Sequence, residues 1–242
     1  MELPLLYEDD AMLVVNKPSG LLVHRGDATS RREIALLQLL RDQMGQRLYP
    51  VHRLDRATSG IVLFAKDPQA AALLSEQFRK HQVGKNYLAV VRGWAPELIV
   101  CDDPLANLDR KDAPLQDAST RGQRIAQVAF PVAIDRYPEA RYSLLHLMPL
   151  TGRQHQLRRH MKHLGYPMIG DTVYGKGLHN RFFRDSFAVH RLLLHHWTCS
   201  WTTSKGERRE VRAPWDEAWD KVIQACHWQQ ALSEVLCLSG LG

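Results

Sequence analysis

Apolar residues in this chain gather into short runs bounded by turn-forming residues, and helical spacing interrupts them only at irregular intervals. Leu3–Tyr7 and Met12–Asn16 flank Glu8-Asp9-Asp10 and are closed by Lys17-Pro18-Ser19-Gly20, which reads as strand, turn and strand. Ile61–Ala65, Tyr87–Val91, Ile125–Ile134 and Arg141–Met148 have the same character, the last two lying either side of Tyr137-Pro138. Leu192–Thr203 and Arg208–Arg212 flank Lys205-Gly206 as a hairpin. This order predicts an α+β fold, with a mixed, mainly antiparallel central sheet flanked by helices and loops, over an alternating doubly wound one.

Four helices are expected. Ser30 and Glu33 form a capping-box pattern ahead of Ile34, Leu37, Leu40 and Met44, with Gly45 as the stop. Asp67-Pro68 supplies an N-cap and first position for a helix through Leu74 and Phe78 to about His81. A third runs from about Gln154 to Leu164, turning Leu157, Met161 and Leu164 to the core, and a fourth from Trp215 to Trp228. Pro96–Gln123 is rich in Asp, Pro, Arg and Gln and reads as a surface excursion. Residues 1–228 are expected to form one domain, with 229–242 as a tail, and a first strand so near Met1 leaves no N-terminal appendage.

At 242 residues and 45% hydrophobic composition the chain can bury a substantial core. No run approaches the roughly 20 apolar residues of a membrane span, and the start lacks a signal-peptide pattern, so a cytoplasmic protein with no membrane partner is expected. Cys101, Cys199, Cys226 and Cys237 form no Cys-x-x-Cys pair and read as reduced thiols. His155, His160, His163, His195 and His196 form no metal-ligand motif, so no metal is expected. The net charge of +6 fits a polyanionic partner, since Lys and Arg that neutralise phosphates supply sequence-independent affinity for nucleic acid.

The segment His52-Arg53-Leu54-Asp55-Arg56-Ala57-Thr58-Ser59-Gly60 sets one acid among two arginines and a histidine just before a buried strand. An isolated Arg-x-Asp would be read as a surface pair of little consequence. The full string is more specific: His-Arg-Leu-Asp-x-x-Thr-Ser-Gly resembles the signature of pseudouridine synthases of the large-subunit-rRNA and tRNA-modifying type. The resemblance extends through Asn16-Lys17-Pro18-Ser19-Gly20, Lys85-Asn86-Tyr87, Thr151-Gly152-Arg153-Gln154-His155-Gln156-Leu157-Arg158 and Gly170-Asp171-x-x-Tyr174-Gly175, in that order. It implies that Asp55 is the catalytic carboxylate, that Tyr87 stacks on the target base and that Arg158 pairs with Asp55. It also implies that Arg53 fills the space of a flipped base, although binding to a phosphate is an equal alternative.

Isomerising uridine requires the N1–C1′ bond to break, the uracil to turn and C5 to bond to C1′, without hydrolysis. One carboxylate suffices, as a nucleophile on sugar or base or as a base towards a sugar proton, and no cofactor is needed. A base–aromatic stack is worth ~1–3 kcal/mol, comparable with the cost of flipping a nucleotide. Arg153, Arg158, Arg159 and Lys162 form a basic helical face, and with Arg53 and Arg56 they are the candidate RNA-binding residues. Thr58, Ser59 and Gly60 read as shapers of the turn behind Asp55. Leu21-Leu22-Val23-His24-Arg25, Arg136-Tyr137-Pro138-x-x-Arg141-Tyr142 and Gln156–Leu164 resemble most the branch that modifies uridine 65 in the tRNA acceptor stem. The expected partner is therefore tRNA, alternatively large-subunit rRNA, and no obligate protein partner is evident. Two rivals remain: a non-catalytic RNA-binding or ribosome-assembly protein, and a glycosidase using a second carboxylate, for which Asp171 is the best partner.

Overall fold

The computed structural model describes residues 2–25, 33–110, 112–135 and 137–238. The chain divides into two compact units, Met1–Asn86 with His195–Pro214 and Tyr87–Leu194 with Trp215–Gly242. Ser30, Arg136 and the cysteine at 237 belong to segments or side chains outside this description.

In the first unit, β1 (Leu5–Glu8), β2 (Met12–Lys17), β4 (Ser59–Ala65) and β9 (Leu194–Thr202) lie in that order, with β3 (Tyr49–Pro50) against β4 and β10 (Arg208–Arg212) against β9. The pairs are antiparallel except β4 with β9, where Ser59 and Gly60 align in parallel with His195 and His196. Both faces of β4 are buried, as its unbroken apolar run requires. Helix α2 (Pro68–Arg79) starts as expected, with the Asp67 side chain accepting from the Ala70 amide at 2.8 Å and Pro68 at the first position. Its Ala70 and Leu74 pack on Met12, Val14, Ile61, Leu63 and Trp201.

Helix α1 (Leu36–Met44) departs from expectation. It begins after Ala35, without a side-chain cap, and Ile34 stands outside it, exposed. Its first amides are satisfied tertiarily: Leu36 N–H donates to Leu22 O at 2.8 Å and Leu37 N–H to Val23 O at 3.0 Å. Those bonds replace a local cap.

The second unit orders β5 (Gly84–Arg92), β8 (Ala140–Pro149), β7 (Thr120–Phe130) and β6 (Leu98–Cys101), all antiparallel, with β5 entering it at Tyr87. The excursion expected over 96–123 thus contains a strand and the start of another. Its remainder closes on itself through reciprocal Leu105 and Gln116 backbone bonds of 2.9 Å. Helix α3 (Gln156–His163) buries Leu157 and Met161. Helix α4 (Gly177–Phe187), which no sequence pattern announced, sets Phe182, Phe183 and Phe187 against Phe130 and Tyr142. Helix α5 (Glu217–Ala225) is capped by Asp216. The segment expected to be a tail forms helix α6 (Gln229–Leu238), with Leu232 buried. Strand pairing throughout is that of a mixed, mainly antiparallel α+β protein.

Candidate active site

The loop carrying Asp55 is fastened by buried polar groups of the first unit. Asp55 itself is half-buried, and the Thr58 amide donates to its carbonyl at 3.1 Å, closing a turn. Lys17 is fully buried, and its Nζ donates to the carbonyls of Pro18 (2.9 Å), Leu21 (2.8 Å) and Arg56 (3.2 Å). Ser19 Oγ donates to Ala57 O at 2.7 Å and the Gly20 amide to Arg56 O at 2.8 Å. The Lys17-Pro18-Ser19-Gly20 turn therefore holds the Asp55 string by its backbone. Gly60 has φ of +106°, and a Cβ there would lie 2.2 Å from His196 O, so only glycine lets β4 approach β9. Replacing Lys17 with Met should strip these carbonyls of their donor, costing on the order of 3 kcal/mol. Urea unfolding should show that loss, with at least a tenfold fall in turnover; an unchanged midpoint would refute the fastening role.

The neighbouring histidines are structural, and burial disfavours the charged forms of His52 and His196. The Leu63 amide donates to His52 Nε2 at 3.0 Å, and the ring stacks on Phe78 with centroids 4.6 Å apart. Burial, and then the charge of Lys85, push His52 down to about 3. His196 Nδ1 donates to Ile61 O at 2.8 Å, and burial with the neighbouring His52 holds its pKa well below the usual value. His195 Nε2 donates to Ala213 O, and its Nδ1 is hydrogen-bonded with Ser59 Oγ at 2.7 Å. Ser59 thus anchors the string to β9. Both His52 and His196 gain protons in the unfolded chain near pH 6.5 but not in the native one. Their contribution to stability is complete above that pH and is lost as pH falls towards 3. Urea midpoints measured between pH 7 and 4 should fall, and His52→Gln should reduce the slope by about one proton. A slope identical to wild type would contradict the assignment.

Arg53 is exposed, and its charge adds to burial in lowering His24. Arg56 is also exposed, yet it pairs with Glu33 at 3.0 Å and donates to Gly20 O at 3.0 Å.

In the second unit, Tyr87 lies on β5 opposite Leu147 and is 8% exposed. Arg158 on α3 is buried, donating to Asp171 through Nε (2.8 Å) and Nη2 (3.0 Å). Asp171 Oδ1 also accepts from the amides of Val173 (2.9 Å) and Tyr174 (3.0 Å). Burial pushes this carboxyl up, but Arg158 and the two amides outweigh it and hold it below the usual range. The Arg158 guanidinium lies over the Tyr174 ring, as does the Lys162 ammonium, and the Tyr174 hydroxyl meets His155 Nδ1 at 3.0 Å. Gly170 and Gly175 are required by close backbone approach, since a Cβ would meet Arg191 O at 1.9 Å and Asp171 O at 2.2 Å respectively. The Gly170–Gly175 block is thus a cradle for Arg158. Sequence spacing could not have revealed it, because nothing local links positions 13 residues apart. An Asp171 bound by so many donors is a poor general acid for a glycosidase.

Of the other candidate RNA-binding residues, Arg153 Nε donates to Asp117 O and Arg159 Nη1 to Ala106 O, each at 2.9 Å. His160 and Gln156 add bonds to Asp103 O and Ser119 O. These residues dock the 102–119 segment on α3. Among the described residues no cluster of His, Cys, Asp or Glu could hold a metal, no helix is long and apolar enough to cross a membrane, and Cys101, Cys199 and Cys226 are free thiols.

Residues 11–163, which include the Asp55 loop, Tyr87 and Arg158, match the sequence profile described as RNA pseudouridylate synthase. The chain belongs to that family. The synthase is 41% identical over 95% of its length to a tRNA pseudouridine synthase C of Vibrio cholerae, covering 98% of that protein. It is 42% identical over 94% of its length to one of Haemophilus ducreyi, covering 97%. Its fold matches the solved human RNA Pseudouridylate Synthase Domain Containing 1, with a TM-score of 0.70 over 93% of the synthase and 95% of that chain, at 24% identity. The synthase is accordingly an isomerase that makes pseudouridine in RNA.

Proposed function

We propose that the synthase acts on tRNA, converting uridine 65, in the cytoplasm and without a cofactor. The observation that carries this reading is the likeness, over nearly the whole chain, to relatives named tRNA pseudouridine synthase C. The reaction rearranges atoms within one nucleotide and leaves their overall oxidation state unchanged, so it calls for neither oxidant nor reductant.

Asp55 is assigned the covalent or proton-transfer step, and Tyr87 the stack on the flipped uracil. Arg158 supplies the positive charge of the site and Arg53 occupies the gap in the stem. The fastened backbone around Asp55 supports this assignment, because a reacting carboxylate must be held within a few tenths of an ångström of its target. Arg153, just before α3, and Arg159 and Lys162 on it contribute positive potential as well as their packing.

The test uses transcripts of tRNA and of large-subunit rRNA labelled with tritium at uridine C5, followed by mapping of the modified position. Release from tRNA at position 65 is expected. Release from rRNA alone would discard the substrate and keep the chemistry.

A further inference from the structure

The first unit carries a second basic surface that the catalytic loop does not use. The C-terminal end of α2 presents Arg79, Lys80 and His81, and the β9–β10 hairpin presents Lys205, Arg208, Arg209 and Arg212, all exposed. Around this edge of the sheet six permanent cations, with Arg209 on the face that α2 covers and Arg208 and Arg212 on the other, stand against Glu76, Glu207 and Glu210, and Asp9 of the adjoining β1–β2 turn adds a fourth carboxylate. Glu76 pairs with Arg79 and Lys80, and Glu207 with Arg209, which leaves the surface net positive.

Two devices fix it. Gln77 Nε2 donates to Thr202 O at 2.8 Å while its Oε1 accepts from the Thr202 amide at 3.0 Å, locking the end of α2 to the end of β9. Arg208 Nη2 donates to Ser200 Oγ at 2.8 Å, and that hydroxyl occupies space open only because residue 84 is glycine, whose Cβ would lie 2.4 Å from it.

Along β9, His196 aligns with Gly60 at the start of β4, and Thr202 lies six residues on. At about 3.3 Å per residue the basic surface therefore sits on the order of 20 Å from the catalytic string. That span exceeds one nucleotide and suits a structured RNA.

We infer that the α2 terminus and the β9–β10 hairpin bind the phosphate backbone of the substrate RNA at a distance from the target uridine. This rests on the tRNA reading above and extends it: the surface grips parts of a folded tRNA beyond the modified stem. Bonds to phosphate carry no base information, so they set affinity and orientation rather than choice of uridine.

The test compares Lys80→Gln/Lys205→Gln/Arg208→Gln with wild type in fluorescence-anisotropy titrations of full-length tRNA and of a minihelix, a short hairpin that holds uridine 65 with only a few flanking base pairs. For every phosphate no longer neutralised, the slope of log K against log salt becomes shallower by ~0.7–0.9. The triple variant should bind full-length tRNA at least tenfold more weakly with the slope reduced by about 2, while its affinity for the minihelix changes less than twofold. Glu207→Gln/Glu210→Gln should tighten full-length binding. An unchanged slope, or equal weakening on both RNAs, would overturn the proposal. Because the readout is binding, its failure is distinct from an absence of tritium release from tRNA, which would instead discard the substrate assignment.

Discussion

Asp55→Asn is expected to lower tritium release from C5-labelled tRNA by about 10²–10⁴-fold or more, the range over which a positioned acid–base or nucleophilic group accelerates a step. The amide keeps the size of the carboxylate but can neither attack carbon nor accept a proton. The loop should survive the change. Its fastening runs through backbone atoms: the Thr58 amide to the carbonyl of residue 55, and the Lys17, Ser19 and Gly20 donors to the carbonyls of Arg56 and Ala57. Affinity for tRNA should therefore stay within a few-fold of wild type and the urea midpoint should barely move. Rapid turnover by the Asn variant would transfer the chemistry to another residue, whereas loss of folding would show that the carboxylate is itself structural.

Arg158→Ala should destabilise the molecule by ~3–5 kcal/mol, because it leaves the Asp171 carboxylate buried without its cation. Arg158→Lys should recover only part of this, since an ammonium cannot reproduce the two-pronged grip of Nε and Nη2. The informative variant is Arg158→Met/Asp171→Leu. Removing both charges relieves the unpaired carboxylate, so the double variant should unfold at higher urea than Arg158→Ala, though the amides of Val173 and Tyr174 lose an acceptor. It should nevertheless be inactive if Arg158 acts on the reaction as proposed. A stable and active double variant would reduce Arg158 to a scaffold residue.

The sequence disclosed those parts of the molecule whose cause is local. The continuous apolar run of Ile61–Ala65 marks a strand buried on both faces, and Asp67-Pro68 announces α2 because cap and first turn are adjacent in the chain. The start of α1 was misplaced because its amides are satisfied by Leu22 and Val23, so no capping residue marks it. Helix α4 escaped notice because its phenylalanines are explained by Phe130 and Tyr142, which are remote in sequence. Strand β6 turns Leu98 and Val100 outward, and this departure from inward alternation, amid acidic and proline-rich residues, read as loop. At the candidate site, motif resemblance supplied Asp55, Tyr87 and Arg158. It included Lys17 in a matching block without giving it a role, and the rival glycosidase reading offered Asp171 as a catalytic group where the fold uses it to hold an arginine.

Lys17 has a consequence for how the Asp55 loop depends on its medium. Carbonyl oxygens converging on a positive charge are what proteins offer to bound potassium or sodium. Here the charge is an ammonium on the same chain, seated among the carbonyls of Pro18, Leu21 and Arg56. A tethered cation cannot be diluted away, exchanged for one of another radius or extracted by a chelator. The loop around Asp55 thus carries its own counter-ion for these dipoles.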